Sequence, residues 1–308
     1  MRSLVATPFG PSLVELRHVA DPEPDERQAL VEVRAVSLNR GECVALRTAE
    51  DGWRPGWDLA GVILRPAADG SGPGEGARVV GWVDGGGWAE RAAVRTAHLA
   101  ELPDGVSFET ASTLPVAGLT ALAAVDMAGN VSGRRVAITG ANGGVGRFAI
   151  QVAKSRGAHV TAIVTAPDRA VGLPELGADG IEVRLRPVGE PFDLILESVG
   201  GSSLAAALAR VSEEGSVVTF GNSSNETTEF DPRTFYRRGA PTMRALFVVW
   251  ELLHEHLGSL QLGMLVDLVA RGALRADMDL VKPWDEAGTA IEALLKRGIA
   301  GKAVLTIP

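Results

Sequence analysis

The chain is poor in cysteine, in tyrosine and in net positive charge. Cys43 is the only cysteine among 308 residues, and Tyr236 is the only tyrosine. A single cysteine excludes a disulfide framework and a cysteine-rich metal site, and it favours a reducing, cytoplasmic setting. The formal net charge of −8 argues against nucleic-acid and anionic-membrane partners, because both bind clustered positive charge.

Long apolar runs are absent as well. No run approaches the roughly 20 residues that span a bilayer, and even the apolar residues 245–250 are bracketed by Arg244 and Glu251. The first residues contain no extended apolar segment, so we expect a strand there and no signal peptide. With 46% hydrophobic residues, the chain can bury a large core, which we expect to be divided between two domains.

The predicted secondary structure differs between the first hundred residues and the rest of the chain. The first hundred residues predict short strands between glycine, proline and aspartate turns, with apolar residues alternating over 29–37. From residue 113 to about residue 270, predicted strands alternate with predicted helices, and one long helix is predicted over 252–269. This alternation predicts an α/β fold with a doubly wound parallel sheet.

A glycine-rich turn follows the predicted strand that begins at Val136. Ala141 takes the place of the first glycine in a G-x-G-x-x-G fingerprint, Gly143 lets a pyrophosphate approach the backbone, and Gly146 lets the helix pack closely on the strand. The helix N-terminus then offers free N–H groups to phosphate. This order of elements predicts dinucleotide binding by Ala141, Asn142, Gly143, Gly144, Val145 and Gly146.

The end of the second strand, predicted over 159–164, indicates which dinucleotide binds. An NAD site usually has an acidic residue there for the ribose 2′-hydroxyl, whereas this chain has the neutral Thr165, with Arg169 shortly after it. An arginine can bind a 2′-phosphate through two parallel hydrogen bonds. We therefore expect NADPH as the cofactor, with Thr165 and Arg169 in its site. The alternative is an Arg169 that is solvated at the start of the next helix.

Two further strand ends are candidate cofactor contacts. Open parallel sheets bind their ligands at the carboxyl ends of the strands. One predicted strand ends before Ser198, Val199 and Gly200, and the next ends at Phe220, Gly221 and Asn222. We expect all six residues to border the nucleotide.

Along nearly its whole length, the chain resembles a known family. The matching stretches include residues 36–41, 55–61, 86–90, 102–106, 114–121, 136–146, 197–201 and 301–305. In order and spacing they are similar to the zinc-free quinone oxidoreductase-like branch of the medium-chain dehydrogenase/reductase superfamily. The resemblance implies a GroES-like β-rich domain formed by both termini, residues 1–112 and 271–308, around a Rossmann-type NADP(H)-binding domain, residues 113–270. It also implies a homodimer formed near residues 243–249.

The resemblance bears on metal binding too. Zinc-dependent relatives have a cysteine where this chain has Asn39 and a histidine where it has Trp57, and neither replacement is a useful zinc ligand. The cysteines of a structural zinc site are missing, and His254 and His256 cannot share one face of the predicted helix. We therefore expect no metal.

Asn39 and Thr120 are the candidate catalytic residues, because both match family positions near the nicotinamide or the acceptor. The alternatives are a turn-forming asparagine and a helix-interior threonine bonded to a preceding carbonyl. Arg184 matches a position near the adenosine end of the cofactor, although a solvated surface arginine fits it better. Asp58 and Lys302 are expected to be structural.

Together these features predict an NADPH-dependent, zinc-independent reductase that transfers hydride to a small-molecule acceptor, a quinone or a similarly activated compound. Several quinone oxidoreductases have a tyrosine shortly after the position of Asn39, and this chain has none there. An enone would need a proton donor near its carbonyl oxygen, so the missing tyrosine favours quinones. Two alternatives remain open: an enoyl or enone reductase, and a non-catalytic NADPH-binding protein.

Overall fold

A computed structural model describes residues 1–308, in two compact units. Unit 1 comprises residues 1–119 and 249–308, and unit 2 comprises residues 120–248. The boundaries expected from sequence, after residues 112 and 270, differ most at the helix over 259–270, which belongs to unit 1. Within unit 1, Leu265 of that helix packs against Gly118, and Gly258 at its start lies against Ala97.

The secondary structure alternates as the sequence predicts. The strands are β1 (Arg2–Ala6), β2 (Val14–His18), β3 (Gln28–Leu38), β4 (Asp58–Arg65), β5 (Arg78–Trp82), β6 (Arg91–Arg95), β7 (Leu99–Glu101), β8 (Arg135–Thr139), β9 (His159–Val164), β10 (Gly180–Val183), β11 (Phe192–Glu197), β12 (Val211–Thr219), β13 (Thr242–Ala245), β14 (Met278–Pro283) and β15 (Lys302–Thr306). The helices are α1 (Arg40–Ala45), α2 (Phe108–Ser112), α3 (Leu119–Asp126), α4 (Gly144–Ser155), α5 (Gly201–Arg210), α6 (Pro232–Tyr236), α7 (Val248–Leu253), α8 (Ser259–Ala270) and α9 (Ala287–Leu295). A π-helical turn, Leu114–Gly118, precedes α3.

Unit 1 is built on a mostly antiparallel sheet. Its strand order is β14-β15-β3-β4-β5-β7, and β6 also pairs with β3. Because β15, near the end of the chain, runs antiparallel to β3, both termini contribute to this sheet, as expected for a GroES-like unit. Side chains of β3 alternate between buried and half-buried positions until residue 35, which matches the alternation in the sequence.

Unit 2 contains a six-stranded sheet with the order β10-β9-β8-β11-β12-β13, in which every neighbouring pair is parallel. The chain moves outward from β8 to β10 and then returns to β11 on the other side of β8. This reversal is the point where open α/β sheets bind ligands. The predicted Rossmann-type fold is therefore confirmed, and all six carboxyl ends lie at one edge of the sheet.

One predicted element is wrong. The single helix expected over 252–269 is two helices, α7 and α8, with a break between them. Glu255 in the break has a φ of +58°, a left-handed conformation that cannot continue a right-handed helix. No helix of the structure is both long and apolar enough to cross a membrane.

Candidate functional site

The glycine-rich turn of unit 2 begins where β8 ends. Gly140 has a left-handed φ of +60°, and Ala141 after it is fully buried. Since the positive φ falls on Gly140, the turn tolerates an alanine where the fingerprint has its first glycine. The turn also lies close to the end of β11, because a Cβ at Gly140 would stand 2.6 Å from the Oγ of Ser198.

Gly143 and Gly146 have different surroundings. A Cβ at Gly146 would stand 2.5 Å from the carbonyl oxygen of Gly140 and 2.6 Å from the Cα of Ala141, so α4 packs on the turn only with glycine there. A Cβ at Gly143 would approach only the Gly140 oxygen, at 3.3 Å, and Gly143 is exposed. Gly143 caps α4 without a side chain, which leaves the N–H groups of the first helical turn available to an anion.

Arg147 in the first turn of α4 is a buried residue that the sequence reasoning missed. Its Nε and Nη2 donate to the Oδ1 of Asn142, at 3.1 and 2.6 Å, and its Nη2 also donates to the carbonyl oxygen of Val171 at 2.9 Å. Asn142 is buried by the same contact. Arg147 therefore ties the glycine-rich turn to the segment after β9, which contains Arg169.

Two arginines come near the carboxyl end of β9: Arg169 in the segment after β9, and Arg184 directly after β10. Thr165 is exposed directly after β9, and the N–H of Arg169 donates to the carbonyl oxygen of Ala166 in the next turn. The N–H of Arg184 donates to the carbonyl oxygen of Val164 at 2.8 Å, and Arg184 has a left-handed φ of +59°. Both arginines thus flank the carboxyl end of β9, where the neutral Thr165 stands at the position that is acidic in a typical NAD site.

Glu197, the last residue of β11, organises the next loop. Its fully buried carboxylate accepts hydrogen bonds from the N–H groups of Val199 and Gly200 and from the hydroxyls of Ser203 and Thr139, all between 2.8 and 3.2 Å. Burial raises its pKa, while these donors stabilise the charged form. The sequence signal was an acidic residue at the end of an apolar strand, directly before the predicted cofactor loop.

The two predicted strand ends lie side by side, because β11 and β12 are neighbouring parallel strands. The N–H of Ser198 donates to the Oγ1 of Thr139, and the N–H of Phe220 donates to the carbonyl oxygen of Glu197. Gly221 approaches Ser198 closely, since a Cβ there would stand 3.0 Å from the Ser198 oxygen. The glycine-rich turn, Ser198–Gly200 and Phe220–Asn222 therefore occupy one edge of the sheet in unit 2.

In unit 1, Asn39 lies within a buried polar cluster. The Nζ of Lys302 donates to its Oδ1 at 2.7 Å, and its Nδ2 donates to the Oδ2 of Asp58 at 2.8 Å. The Oε1 of Glu42 accepts from the N–H of Asn39 at 2.7 Å and from its Nδ2 at 3.3 Å. The amide orientation is thus set by contacts on both ends, and we call these four residues the Asn39 cluster.

The Asn39 cluster contains three buried ionisable groups. Burial, with a smaller contribution from the Asp58 carboxylate, raises the pKa of Glu42 to about 8. Burial also raises the pKa of Asp58 and lowers that of Lys302, and the attraction between this pair opposes both shifts. Asp58 further accepts from the N–H of Val116 at 2.9 Å, which connects the cluster to the π-helical turn.

Trp57 and Thr120 are the other two residues that the sequence singled out. The indole of Trp57 covers Gly41, where a Cβ would stand 3.2 Å from the ring, and the N–H of Trp57 donates to Glu42. Thr120 is buried near the start of α3.

Comparison with known proteins finds similar sequences and structures. A family model described as zinc-binding dehydrogenase matches residues 176–305. The chloroplast envelope quinone oxidoreductase homolog of Arabidopsis thaliana is 26% identical over 99% of this chain and 98% of its own length. The quinone oxidoreductase of Escherichia coli, in complex with NADPH, is similar in structure with a TM-score of 0.88 over 100% of both chains at 22% identity. In sequence and fold, this chain is similar along its whole length to oxidoreductases of the medium-chain dehydrogenase/reductase type.

Other relatives match this chain over only part of their own length. The 2-methylene-furan-3-one reductase of Solanum lycopersicum is 33% identical over 65% of this chain and 56% of its own length. The chain spans less than half the length of four further curated relatives that it matches.

The family model is described as zinc-binding, but this chain has no set of zinc ligands that matches the description. No group of three or more His, Cys, Asp or Glu side chains is placed to hold a metal ion. The resemblance places the zinc ligands of zinc-dependent relatives at the positions of Asn39 and Trp57, whose side chains are poor zinc ligands. His254 and His256 lie at the break between α7 and α8, where the Nδ1 of His256 contacts Glu251. The side chains that are present therefore do not fit a catalytic zinc.

Proposed function

We propose that this protein is an NADPH-dependent, zinc-independent reductase that transfers hydride to a quinone or a similarly activated acceptor. The observation that carries the proposal is the exposed backbone of Gly143, at the N-terminus of α4 and at the ligand-binding edge of the parallel sheet. When bound, the nicotinamide nucleotide supplies the hydride. The Escherichia coli protein of the same fold is a quinone oxidoreductase in complex with NADPH, which supports this assignment.

The residues of unit 2 fit NADPH. Gly143 and the first turn of α4 would hold the pyrophosphate, and Arg169 would hold the 2′-phosphate beside the neutral Thr165. Arg147 would keep the segment with Arg169 in place through its bond to Val171. The two further strand ends would border the rest of the nucleotide, through Ser198, Val199, Gly200, Phe220, Gly221 and Asn222.

Zinc independence is supported by the chemistry of the side chains that are present. The amide of Asn39 is already held by Lys302 and Asp58, and the indole of Trp57 has no lone pair for a metal. Without a Lewis acid, an acceptor must take hydride readily by itself, and a quinone does so because its product oxyanion is stabilised. Water can then protonate that oxyanion, so no tyrosine is required.

Asn39 and Thr120 are the proposed catalytic residues. The Asn39 cluster holds the amide in one orientation, which would let Asn39 act as a fixed polar contact for the nicotinamide carboxamide or for the acceptor. Thr120 would offer a hydroxyl from a buried position in α3.

A second candidate function is reduction of a carbon–carbon double bond conjugated to a carbonyl. It is favoured by the similarity to the tomato 2-methylene-furan-3-one reductase, whose name describes such a substrate. Both candidates use the same cofactor and differ in the acceptor.

The test is to follow the near-ultraviolet absorbance of NADPH with matched panels of quinones and enones, with and without a zinc chelator. We expect quinone-dependent oxidation of NADPH that the chelator does not change. Faster turnover of enones would favour the second candidate. Tight NADPH binding without oxidation by any acceptor would contradict both candidates and support a non-catalytic protein, and a loss of activity in chelator would contradict zinc independence.

We also propose that the protein forms a homodimer through β13. This strand is the last of its sheet, and all four of its residues are exposed. An open edge strand presents unpaired N–H and C=O groups that a second copy can pair with.

A further inference from the structure

Arg54 is a half-buried cation of unit 1 without a counter-ion. Its Nε is shielded from solvent and has no hydrogen-bond partner. Other half-buried arginines of this unit have partners: Arg2 pairs with Glu90, and Arg40 donates to two carbonyl oxygens at the end of α9. The unit's unpaired arginines at positions 27, 47 and 65 are exposed, so water can solvate them. Arg54 alone among these is both unpaired and partly removed from water.

The backbone places the Arg54 side chain. The N–H of Gly86 donates to the carbonyl oxygen of Arg54 at 2.9 Å, and the N–H of Trp88 donates to that of Pro55 at 3.2 Å. Gly86 has a left-handed φ of +76°, and a Cβ there would stand 3.6 Å from the Nη2 of Arg54. The guanidinium therefore lies beside residues 84–87, which we call the glycine loop. This loop leaves room for the guanidinium and offers it no hydrogen-bond acceptor.

No acidic side chain of this region neutralises Arg54. Asp84, on the glycine loop, is exposed and forms no ion pair. Partial burial lowers the pKa of Arg54 from its ordinary value, although a guanidinium remains charged at neutral pH. A partly desolvated cation with an unsatisfied N–H is costly, and its planar donors match a carboxylate or sulfonate. The missing partner is therefore of anionic character.

We propose that Arg54 binds an anionic substituent, a carboxylate or a sulfonate, on a planar acceptor. This inference rests on the proposed function. The half-buried Trp53 and Trp57 lie on the same loop, and the indole of Trp57 covers Gly41, two residues after Asn39. The loop thus presents aromatic surface and an unpaired cation, and Trp57 joins it to the segment of the proposed catalytic asparagine, which suits a ring that is both flat and acidic.

Direct binding tests the proposal without turnover. We would titrate 2-naphthoate and the neutral 2-naphthamide into the protein by isothermal titration calorimetry, with and without NADPH. The wild type should bind the naphthoate about 10-fold or more tightly than the amide, as expected for a charge-assisted contact. Arg54→Ala should remove this preference and Arg54→Lys should keep part of it, while Arg65→Ala, an exposed control, should leave it intact. Equal binding of both ligands by the wild type, no binding of naphthoate in either condition, or an unaltered preference in Arg54→Ala would overturn the proposal.

Kinetics then separates this proposal from the proposed function. We compare 1,2-naphthoquinone with its 4-sulfonate as acceptors in the NADPH oxidation assay. Arg54→Ala should raise KM for the sulfonate about 10-fold and leave kcat and the neutral quinone unchanged. An equal change for both quinones refutes a role in anion binding, whereas failure of both quinones with Arg54-dependent naphthoate binding intact refutes only the reductase assignment. Circular dichroism of each variant verifies that it is folded.

Discussion

Among single residues, Glu42 is the clearest case of a side chain whose environment changes its chemistry. It is fully buried, and its pKa is raised to about 8, first by burial and then by Asp58. At neutral pH its carboxyl is therefore mostly protonated, which limits the cost of burying it. Asp58 and Lys302 form a buried pair at 3.5 Å in the same cluster.

The pKa of Glu42 predicts a pH dependence of stability. Its pKa is raised in the folded state to about 8, so folding retains a proton that the unfolded chain releases above pH ~4.5. The free energy of unfolding should therefore fall as the pH rises from about 5 to 8, and this contribution should level off above that range. Urea unfolding at a series of pH values should show a shallower fall in Glu42→Gln.

The control for this prediction is Glu75→Gln in an exposed loop, which should keep the wild-type slope. Only the slope is diagnostic, because the glutamine amide at position 42 would also face the N–H of Trp57 and lower stability at every pH. Identical slopes in the wild type and Glu42→Gln would contradict the raised pKa.

Arg169 is predicted to distinguish the two nicotinamide cofactors. Arg169→Ala should weaken NADPH binding about 10-fold or more, because a charge-assisted contact to the 2′-phosphate is lost, and leave NADH binding nearly unchanged. Dissociation constants from nucleotide fluorescence titration measure both effects. Arg186→Ala, an exposed arginine after β10, is the matched control, and equal losses for NADPH and NADH in Arg169→Ala would refute the phosphate role.

At the scale of elements, the two glycines that flank the start of α4 predict opposite phenotypes. Gly146→Ala places a Cβ 2.5 Å from the backbone oxygen of Gly140, so it should lower the free energy of unfolding by about 1–3 kcal/mol. Gly143 has an ordinary φ of −82°, and the Cβ added by Gly143→Ala would approach only the Gly140 oxygen, at 3.3 Å. It should preserve stability and weaken NADPH binding, because its methyl group faces the phosphate position.

Chemical denaturation and nucleotide titration of both variants provide the measurement. The two substitutions add the same methyl group, so each serves as the control for the other. A Gly143→Ala protein that binds NADPH like the wild type would contradict the position assigned to the pyrophosphate.

Sequence patterns predicted the strands of unit 2 better than the helix over 252–269. β9 and β11 have the bounds expected from their apolar runs, because most of their residues are buried and a polar residue, Thr165 or Ser198, follows each strand. The single helix predicted over 252–269 was wrong because the apolar pattern of the sequence continues across the break. The break itself is marked by the left-handed Glu255 and by the close approach of Gly258 to Ala97. The apolar pattern of a segment carries no information on such a contact with a distant residue.

For the whole molecule, the prediction concerns the homodimer through β13. Met243 and Phe247 are large apolar side chains that are 49% and 66% exposed at and just after this edge. The double variant Met243→Lys with Phe247→Lys should halve the mass measured by light scattering, because like charges would face each other across a two-fold interface. Val188→Lys, at a position before β11 that is 73% exposed, should leave the mass unchanged. A wild-type protein that is already a monomer would contradict the dimer.

The site residues that sequence reasoning missed share one property. Besides local partners, each has one that is distant in sequence: Val171 for Arg147, Thr139 for Glu197 and Trp57 for Glu42. A charged residue within an apolar stretch is a weak signal by itself, because most charged residues are solvated. Its significance follows from burial and partners, which a single sequence does not contain.

The amino-acid sequence by itself determined the alternation of strands and helices, the glycine-rich turn and the absence of an acidic residue at Thr165. Each of these depends on residue type and short-range spacing, which the chain carries before it folds. Tertiary structure alone decided that Lys302 reaches Asn39 from the other end of the chain, that Glu197 fastens the loop after β11 and that Arg54 lacks a partner. These features arise from contacts between distant segments, and burial there sets the charge and the hydrogen bonding of each group.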